Sequence, residues 1–317
     1  MKKIVAFTMN PAIDKSSSVE HVMAERKLHC KPPRFEPGGG GVNVSRAVKK
    51  LGGDSVLLYP AGGYTGNRLK DLLEEEGISH RPIPIEATTR ESLVVLEEST
   101  GQQFRFGMPG PVLKNEEGER CLRELSAIRP PPDFLVASGS LPPGVPPDFY
   151  ERVARIGKDH GAKVIIDTSG EALKKALQEG VYLIKPNYRE FRDLVGQDMK
   201  EESQMEAEAL KMVKSGRCEI LVISLGAAGA LLVSKEVVEH IRPPTVPIVS
   251  KVGAGDSMVA GTVLSLARGR TPRDAVLFGI AAGTAAVMTP GTQLCRKEDT
   301  ERLYEKMSAD PGNTGGL

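Results

Sequence analysis

The 317-residue chain has no tryptophan, and its aromatics amount to 4%, which leaves little surface for stacking on nucleobases. An excess of one charge is missing too. Lysine and arginine number 42 against 41 aspartates and glutamates, a formal net charge of +1, so no basic field gathers nucleic acid. The four cysteines, Cys30, Cys121, Cys218 and Cys295, form no C-x-x-C pair, and no histidine stands at metal-ligand spacing from them. A disulfide framework and a zinc site are therefore not expected, and the thiols read as reduced. No apolar run approaches the roughly 20 residues of a membrane span. The start, MKKIVAFTMNPAID, meets Asn10, Pro11 and Asp14 too early for the apolar region of a signal peptide. A cytoplasmic protein with neither nucleic acid nor membrane as partner is expected. Also absent are the P-loop GxxxxGK[ST], the GxGxxG fingerprint, the protein-kinase HRD and DFG sets and the GxSxG elbow.

What is present is a rhythm. Short β-branched runs, KIVAFTM, DSVLLYP, DFLVASGS, KVIIDTS, YLIKPN and EILVISLG, alternate with amphipathic stretches such as GVNVSRAVKKLGG, GNRLKDLLEEEG and PPDFYERVARIGKDHG. Strand then helix, repeated, predicts an α/β fold with a mainly parallel sheet covered on both faces. Two segments break the rhythm: Lys15 to Pro37, and Ile83 to Gly107, where two strands flank a turn at Ser99 to Gly101. They predict a small antiparallel sheet beside the main body. From Thr271 onward the chain reads as helix, with PRDAVLFGIAAGTAAVM apolar nearly all round and therefore buried.

Four stretches carry candidate chemistry. In KVGAGDSMVAG, Gly253 and Gly255 allow a tight turn, and a helix beginning near Asp256 points its free N–H groups outward. Such an end stabilises charge on a phosphoryl group in transfer, and an aspartate beside it can accept a proton from an attacking hydroxyl. The same aspartate serves equally as a helix cap, and this stretch alone leaves both readings open. PGGGGVNVSRAV sets four glycines before an apolar helix, with Asn43 at its start, which suits a loop facing a ligand, a flexible surface loop being the competing reading. IKPNYREF places Lys185, Asn187 and Glu190 at a strand's C-terminal end, where open α/β sheets bind ligands; a capping pair, Asn187 with Glu190, is the competing reading. VISLGAAGALLV offers Ser224, Gly226 and Gly229 as a nucleotide cradle or a plain turn.

Taken together, these motifs resemble the ribokinase-like (PfkB) carbohydrate kinases over nearly the whole chain, from TMNPAID to GTQLC. The diglycine signature is Gly38 to Gly41 with Asn43, the N-x-x-E motif is Asn187 to Glu190, and GAGD is Gly253 to Asp256. FEPGGGGVNVSRA, RFGMPG, SGSLPPGV and GAGDSMV, in that order, resemble the minor-type bacterial 6-phosphofructokinase branch. The resemblance implies a three-layer α/β core at 1–14, 38–82 and 108–307, the last being the nucleotide and catalytic half. It implies a β-sheet lid at 15–37 and 83–107 that clasps a second subunit in a homodimer, and a flexible tail at 308–317.

The activity implied is ATP-dependent phosphorylation of fructose 6-phosphate, with tagatose 6-phosphate or fructose 1-phosphate as alternative substrates and a sugar-phosphate or nucleotide sensor without catalysis as another class. By motif match Asp256 is the base, and Gly253, Ala254 and Gly255 form the anion hole. Asp14, at the end of the first strand, Gly39, Gly40, Gly41 and Asn43 hold sugar hydroxyls. Lys27, Arg90, Arg105 and Ser140 take the sugar's phosphate. Lys185, Asn187, Glu190, Ser224 and Gly226 serve ATP, with Glu190 holding magnesium through water. Ser250, Val252 and Gly291 are the implied potassium ligands, although Ser250 and Lys251 stand where the family often has an acidic residue and a threonine. His29 replaces the arginine expected in the branch.

Overall fold

The structure is a computed structural model and describes residues 2–199 and 201–310. In chain order the main elements are β1 (Ile4–Phe7), β2 (Ala12–Val19), β3 (Arg34–Gly38), α1 (Gly40–Lys50), β4 (Val56–Ala61), α2 (Gly63–Glu75), β5 (Ser79–Pro84), β6 (Arg90–Glu97) and β7 (Gln103–Phe106). There follow α3 (Asn115–Ser126), β8 (Phe134–Ser138), α4 (Phe149–Asp159), β9 (Lys163–Asp167), α5 (Gly170–Ala176), β10 (Val181–Ile184), α6 (Tyr188–Val195), α7 (Glu202–Lys214) and β11 (Cys218–Ser224). The chain closes with β12 (Ala230–Val233), β13 (Val238–Ile241), α8 (Ala254–Ala267), α9 (Pro272–Val287) and α10 (Lys297–Ser308).

Nine strands form one sheet in the order β13-β12-β11-β10-β9-β8-β1-β4-β5. All neighbours from β11 to β5 are parallel; β12 and β13 add antiparallel at one edge. The six strands expected from the β-branched runs all lie in this parallel stretch. Both faces are covered, so a central strand is apolar at every position. In β1, Ile4 and Ala6 join the core under α1, α2, α8, α9 and α10, while Val5 and Phe7 join the core under α3 to α7. This is the ribokinase-like α/β fold. Helix α9 is buried along most of its length, as its composition implied, and so is α8.

The second sheet has the order β3-β2-β6-β7. It is mixed, not antiparallel as expected: β2 pairs with β3 and β6 with β7 antiparallel, but the central pair β2–β6 is parallel from Ala12–Arg90 to Val19–Glu97. The reason is the connection. β2 and β6 belong to separate excursions from the main sheet, and both leave it in the same direction. Asp14 consequently lies inside β2 rather than at the end of β1, which stops at Phe7 before the break at Asn10-Pro11. Strand β5, between the two excursions, is the edge of the main sheet. Of the tail, residues 311–317 lie outside the described residues.

Candidate active site

Helix α8 starts in an unusual way. Its N-cap is Gly253 at φ 73°, a left-handed conformation that glycine adopts without strain, and an added Cβ there would strike the Leu294 side chain. Asp256 is the third residue of the helix and makes no capping bond, which removes the capping reading. The first-turn amides of Ala254, Gly255 and Asp256 have no intrahelical acceptor by geometry. The N-terminal end of α1 meets this terminus, and Asn43 Nδ2 donates to Asp256 Oδ2 at 2.9 Å. Gly40 lets α1 begin against the end of β8, since a Cβ there would stand 2.7 Å from the Gly139 nitrogen.

Asp256 is half-buried by solvent exposure, with its carboxyl shielded from water at the floor of the site, and its pKa is pushed up from 3.8 to about 6. Desolvation is the main cause and the Asp167 carboxylate adds to it, opposed by the Asn43 hydrogen bond and the Lys185 charge. Lys185, just past β10, holds its Nζ 3.3 Å from Asp167 Oδ1. Burial works against its charge, but Asp167, Asp256 and Glu190 outweigh that and keep its pKa above the usual lysine value. An ammonium and a carboxylate thus face each other beside free helix amides.

These groups open on a cavity of about 750 Å³ at the C-terminal ends of β8 to β11 and beneath the small sheet. On one side stand Asp14, Gly39, Gly40, Asn43, Arg90, Arg105 and Ser140; on the other Lys185, Asn187, Glu190, Ser224, Val252, Gly253, Gly255 and Asp256. Burial raises the pKa of Asp14, with Arg90 and Arg46 countering. Arg90 is anchored by Nη1 to the Met108 carbonyl at 2.9 Å and by Nη2 to the Asn10 carbonyl at 3.1 Å. Its Nε is buried without a partner. Ser140 Oγ accepts from Asn10 Nδ2 at 3.1 Å.

Asn187 caps α6 in a reciprocal pair with Glu190: Glu190 N donates to Asn187 Oδ1 at 2.9 Å, and Asn187 N to Glu190 Oε2 at 2.8 Å. Capping and ligand reading coexist, because Glu190 Oε1 makes no bond among the described residues and both residues line the cavity.

Other expected residues lie elsewhere. Lys27 and His29 are exposed on the segment between β2 and β3 and do not line this chain's cavity. Gly41 packs under the Phe7 carbonyl, Gly226 opens a 3-10 turn at 226–228, and Ala254 lines no cavity wall. Ser250 Oγ donates to the Gly291 carbonyl at 3.0 Å, so two of the implied potassium ligands are bonded to each other.

Sequence reasoning overlooked Asp167, Thr168 and Ser169 at the end of β9, Ser138 and Gly139 after β8, and Ser92 on β6. An acid closing a parallel strand in KVIIDTS was the available signal, the same one that selected Lys185. It also missed a cluster far along the chain: Glu202 and Glu206 of α7 bond His240 Nε2 at 2.8 and 3.1 Å. All four cysteines are free, and among the described residues no helix is long and apolar enough to cross a membrane.

The pfkB family carbohydrate kinase profile matches residues 3–299. The chain belongs to this family. It is 45% identical over 313 residues to the ATP-dependent 6-phosphofructokinase isozyme 2 of Mycobacterium tuberculosis, covering 99% of this chain and 92% of the relative. Two solved structures of phosphofructokinase-2 from Escherichia coli superpose on it, each covering 97% of this chain and all of the other. The complex with potassium gives a TM-score of 0.94 at 39% identity, and the complex with fructose-6-phosphate gives 0.92 at 38%.

Proposed function

We infer that the protein is an ATP-dependent 6-phosphofructokinase, transferring the γ-phosphoryl group of ATP to the free primary hydroxyl of fructose 6-phosphate. The observation that carries this reading is Asp256, a half-buried carboxylate in the first turn of α8, hydrogen-bonded by Asn43 beside the unpaired helix amides and with its pKa raised to about 6. Such a base is ionised at neutral pH yet basic enough to take the hydroxyl proton as the oxygen attacks phosphorus in line. The oxygen–phosphorus bond forms, the bond to the β-phosphate oxygen breaks, and ADP leaves. Fixed N–H groups of residues 253–255 face the charge that develops on the phosphoryl oxygens. Lys185 supplies a second positive contact, held in place by Asp167.

Asp14 and Asn43 are placed to accept and donate hydrogen bonds to sugar hydroxyls, and Arg90 and Arg105 to take the 6-phosphate in charge-assisted contacts. Lys27, exposed in this chain, belongs to that set only if a second subunit brings it in. A homodimer through the small sheet fits the exposure of Met23, Phe35, Phe106 and Met108 on and around it. Magnesium, when bound with ATP, neutralises phosphate charge, and Glu190 Oε1 with Asp167 provides the carboxylate oxygens to orient its waters. Potassium at Ser250, Val252 and Gly291 is supported by the potassium complex of the Escherichia coli relative. The four free thiols accord with a cytoplasmic setting.

The test is magnesium-dependent ADP release with fructose 6-phosphate, tagatose 6-phosphate, fructose 1-phosphate, fructose and ribose. Preference for fructose 6-phosphate is expected. Preference for another sugar replaces the substrate, and tight binding of both ligands without ADP indicates a sensor. Addition of potassium chloride to the same assay decides the monovalent site.

A further inference from the structure

Arg46 is the largest fully buried side chain among the described residues, at 1% exposure. Its Nε and Nη2 donate to Glu76, just past α2, at 2.8 and 2.6 Å. Nη2 also lies 3.7 Å from Glu36 of β3. Nη1 points the other way, to the Pro37 carbonyl at 2.8 Å, the Thr292 carbonyl at 3.2 Å and Asn43 Oδ1 at 3.5 Å. Glu36 in turn accepts from the Thr292 hydroxyl at 2.7 Å. One guanidinium therefore joins β3, an edge strand of the small sheet, the segment after α9 and the helix that carries Asn43.

The bond pattern has a chemical consequence for the base. A guanidinium has only donors, so the amide atom of Asn43 turned toward it is the oxygen. The amide nitrogen is then the atom left for Asp256, and it donates there at 2.9 Å. Turning the amide over would set N–H against N–H at Arg46 and oxygen against carboxylate at Asp256. We propose that Arg46 is a positioning residue of the phosphoryl-transfer site: it fixes the sense of the Asn43 amide, and through it the ionised, correctly oriented state of Asp256. Because Pro37 and Thr292 share the same guanidinium, the setting of the base is coupled to β3, the strand that leads from the small sheet into α1.

This inference rests on Asp256 being the base. The other charged groups facing Asp256 are Asp167 of β9, Lys185 after β10 and Asp14 of β2; those facing Arg46 are Glu36, Glu76 and Asp14. Without the guanidinium the Asn43 oxygen loses its facing donor and the start of α1 loses its ties to Pro37 and Thr292, so the amide is held only by its bond to Asp256, and the hydrogen bond that favours the carboxylate's charge weakens.

The experiment compares wild type with Arg46→Lys, Arg46→Met and Arg46→Met combined with Glu76→Gln, the last removing one of the facing carboxylate charges. Asp256 ionisation is followed by carboxyl ¹³C NMR, assigned with Asp256→Asn, alongside kcat, KM for fructose 6-phosphate and thermal melting. With the guanidinium removed, the Asp256 titration midpoint is expected to rise by about one pH unit. Turnover should fall by about 10²-fold, more than KM changes. The double variant should recover melting temperature but keep the raised midpoint, and Arg46→Lys should be intermediate. An unchanged midpoint in the folded double variant, or in Arg46→Lys if the double does not fold, overturns the proposal. A wild type that turns over no sugar phosphate refutes the kinase reading instead, and the NMR midpoint still decides the role of Arg46.

Discussion

Replacing Asp256 by asparagine tests two consequences of one burial. The carboxyl is ionised at pH 7.5 inside a site that raised its pKa from 3.8 to about 6. A pKa raised in the fold means the native state binds the proton more tightly than the unfolded chain. The stabilisation from that proton is complete below the unfolded value near 3.8, and it is lost as pH rises through 6. Above that, the ionised group works against folding by about 3 kcal/mol, since one pKa unit corresponds to about 1.4 kcal/mol. Asparagine has no charge to desolvate and can still accept the Asn43 N–H. The variant should therefore be more stable than wild type at pH 7.5 by up to about 3 kcal/mol, with the gap closing toward pH 4. Catalysis should move oppositely, with kcat down about 10²–10⁴-fold for loss of the base. In wild type, about nine-tenths of the carboxyl is ionised at pH 7 and about one-tenth at pH 5, so kcat/KM should drop about tenfold between them. Urea denaturation at several pH values and steady-state kinetics read both arms. Near-normal turnover in the variant, or a flat wild-type profile from pH 7 to 5, refutes the assignment of the base.

Three further outcomes are expected. Arg105→Ala removes a charged donor from the sugar side of the cavity and should raise KM for fructose 6-phosphate by about 10–100-fold with kcat little changed, seen in initial-rate kinetics. Gly255→Ala would put a methyl group 3.3 Å from Lys185 Nζ, and kcat should fall about tenfold while circular dichroism shows an unaltered fold. Gly40→Ala drives a methyl group into Ser138 and the Gly139 backbone, so the melting curve should show a loss of about 1–3 kcal/mol and sugar KM should rise.

The parallel core was readable because strands buried on both faces are continuous apolar runs, and the helices between them keep their period. Strands β12 and β13 were not: each has four residues, and their place at the edge is set by pairing, β12 with β11 and β13 with β12, rather than by any pattern of their own. The parallel pair β2–β6 was hidden for a related reason, since its partners are separated by about 80 residues and register is a tertiary property. Within the site, GAGD was legible through turn and helix chemistry, whereas Arg46 in NVSRAV reads as a surface cation until Glu76, Glu36 and Thr292 converge on it. That Asp256 is not the helix cap was decided by Gly253, which takes the N-cap position in a left-handed conformation.

The parallel register of the small sheet makes it a lever. Strands β2 and β6 leave the main body side by side and run together for eight residues, about 26 Å of extended chain. A tilt of about 10° about their common base would carry the far ends through about 4–5 Å. Asp14, two rows from the base, would travel only about 1 Å, and Arg105, opposite Val94 in the fifth row, about 2 Å. Asp14 and Arg105, near the fulcrum, would keep their alignment with Asp256 through such a swing, while the outer rows would cover most of the distance.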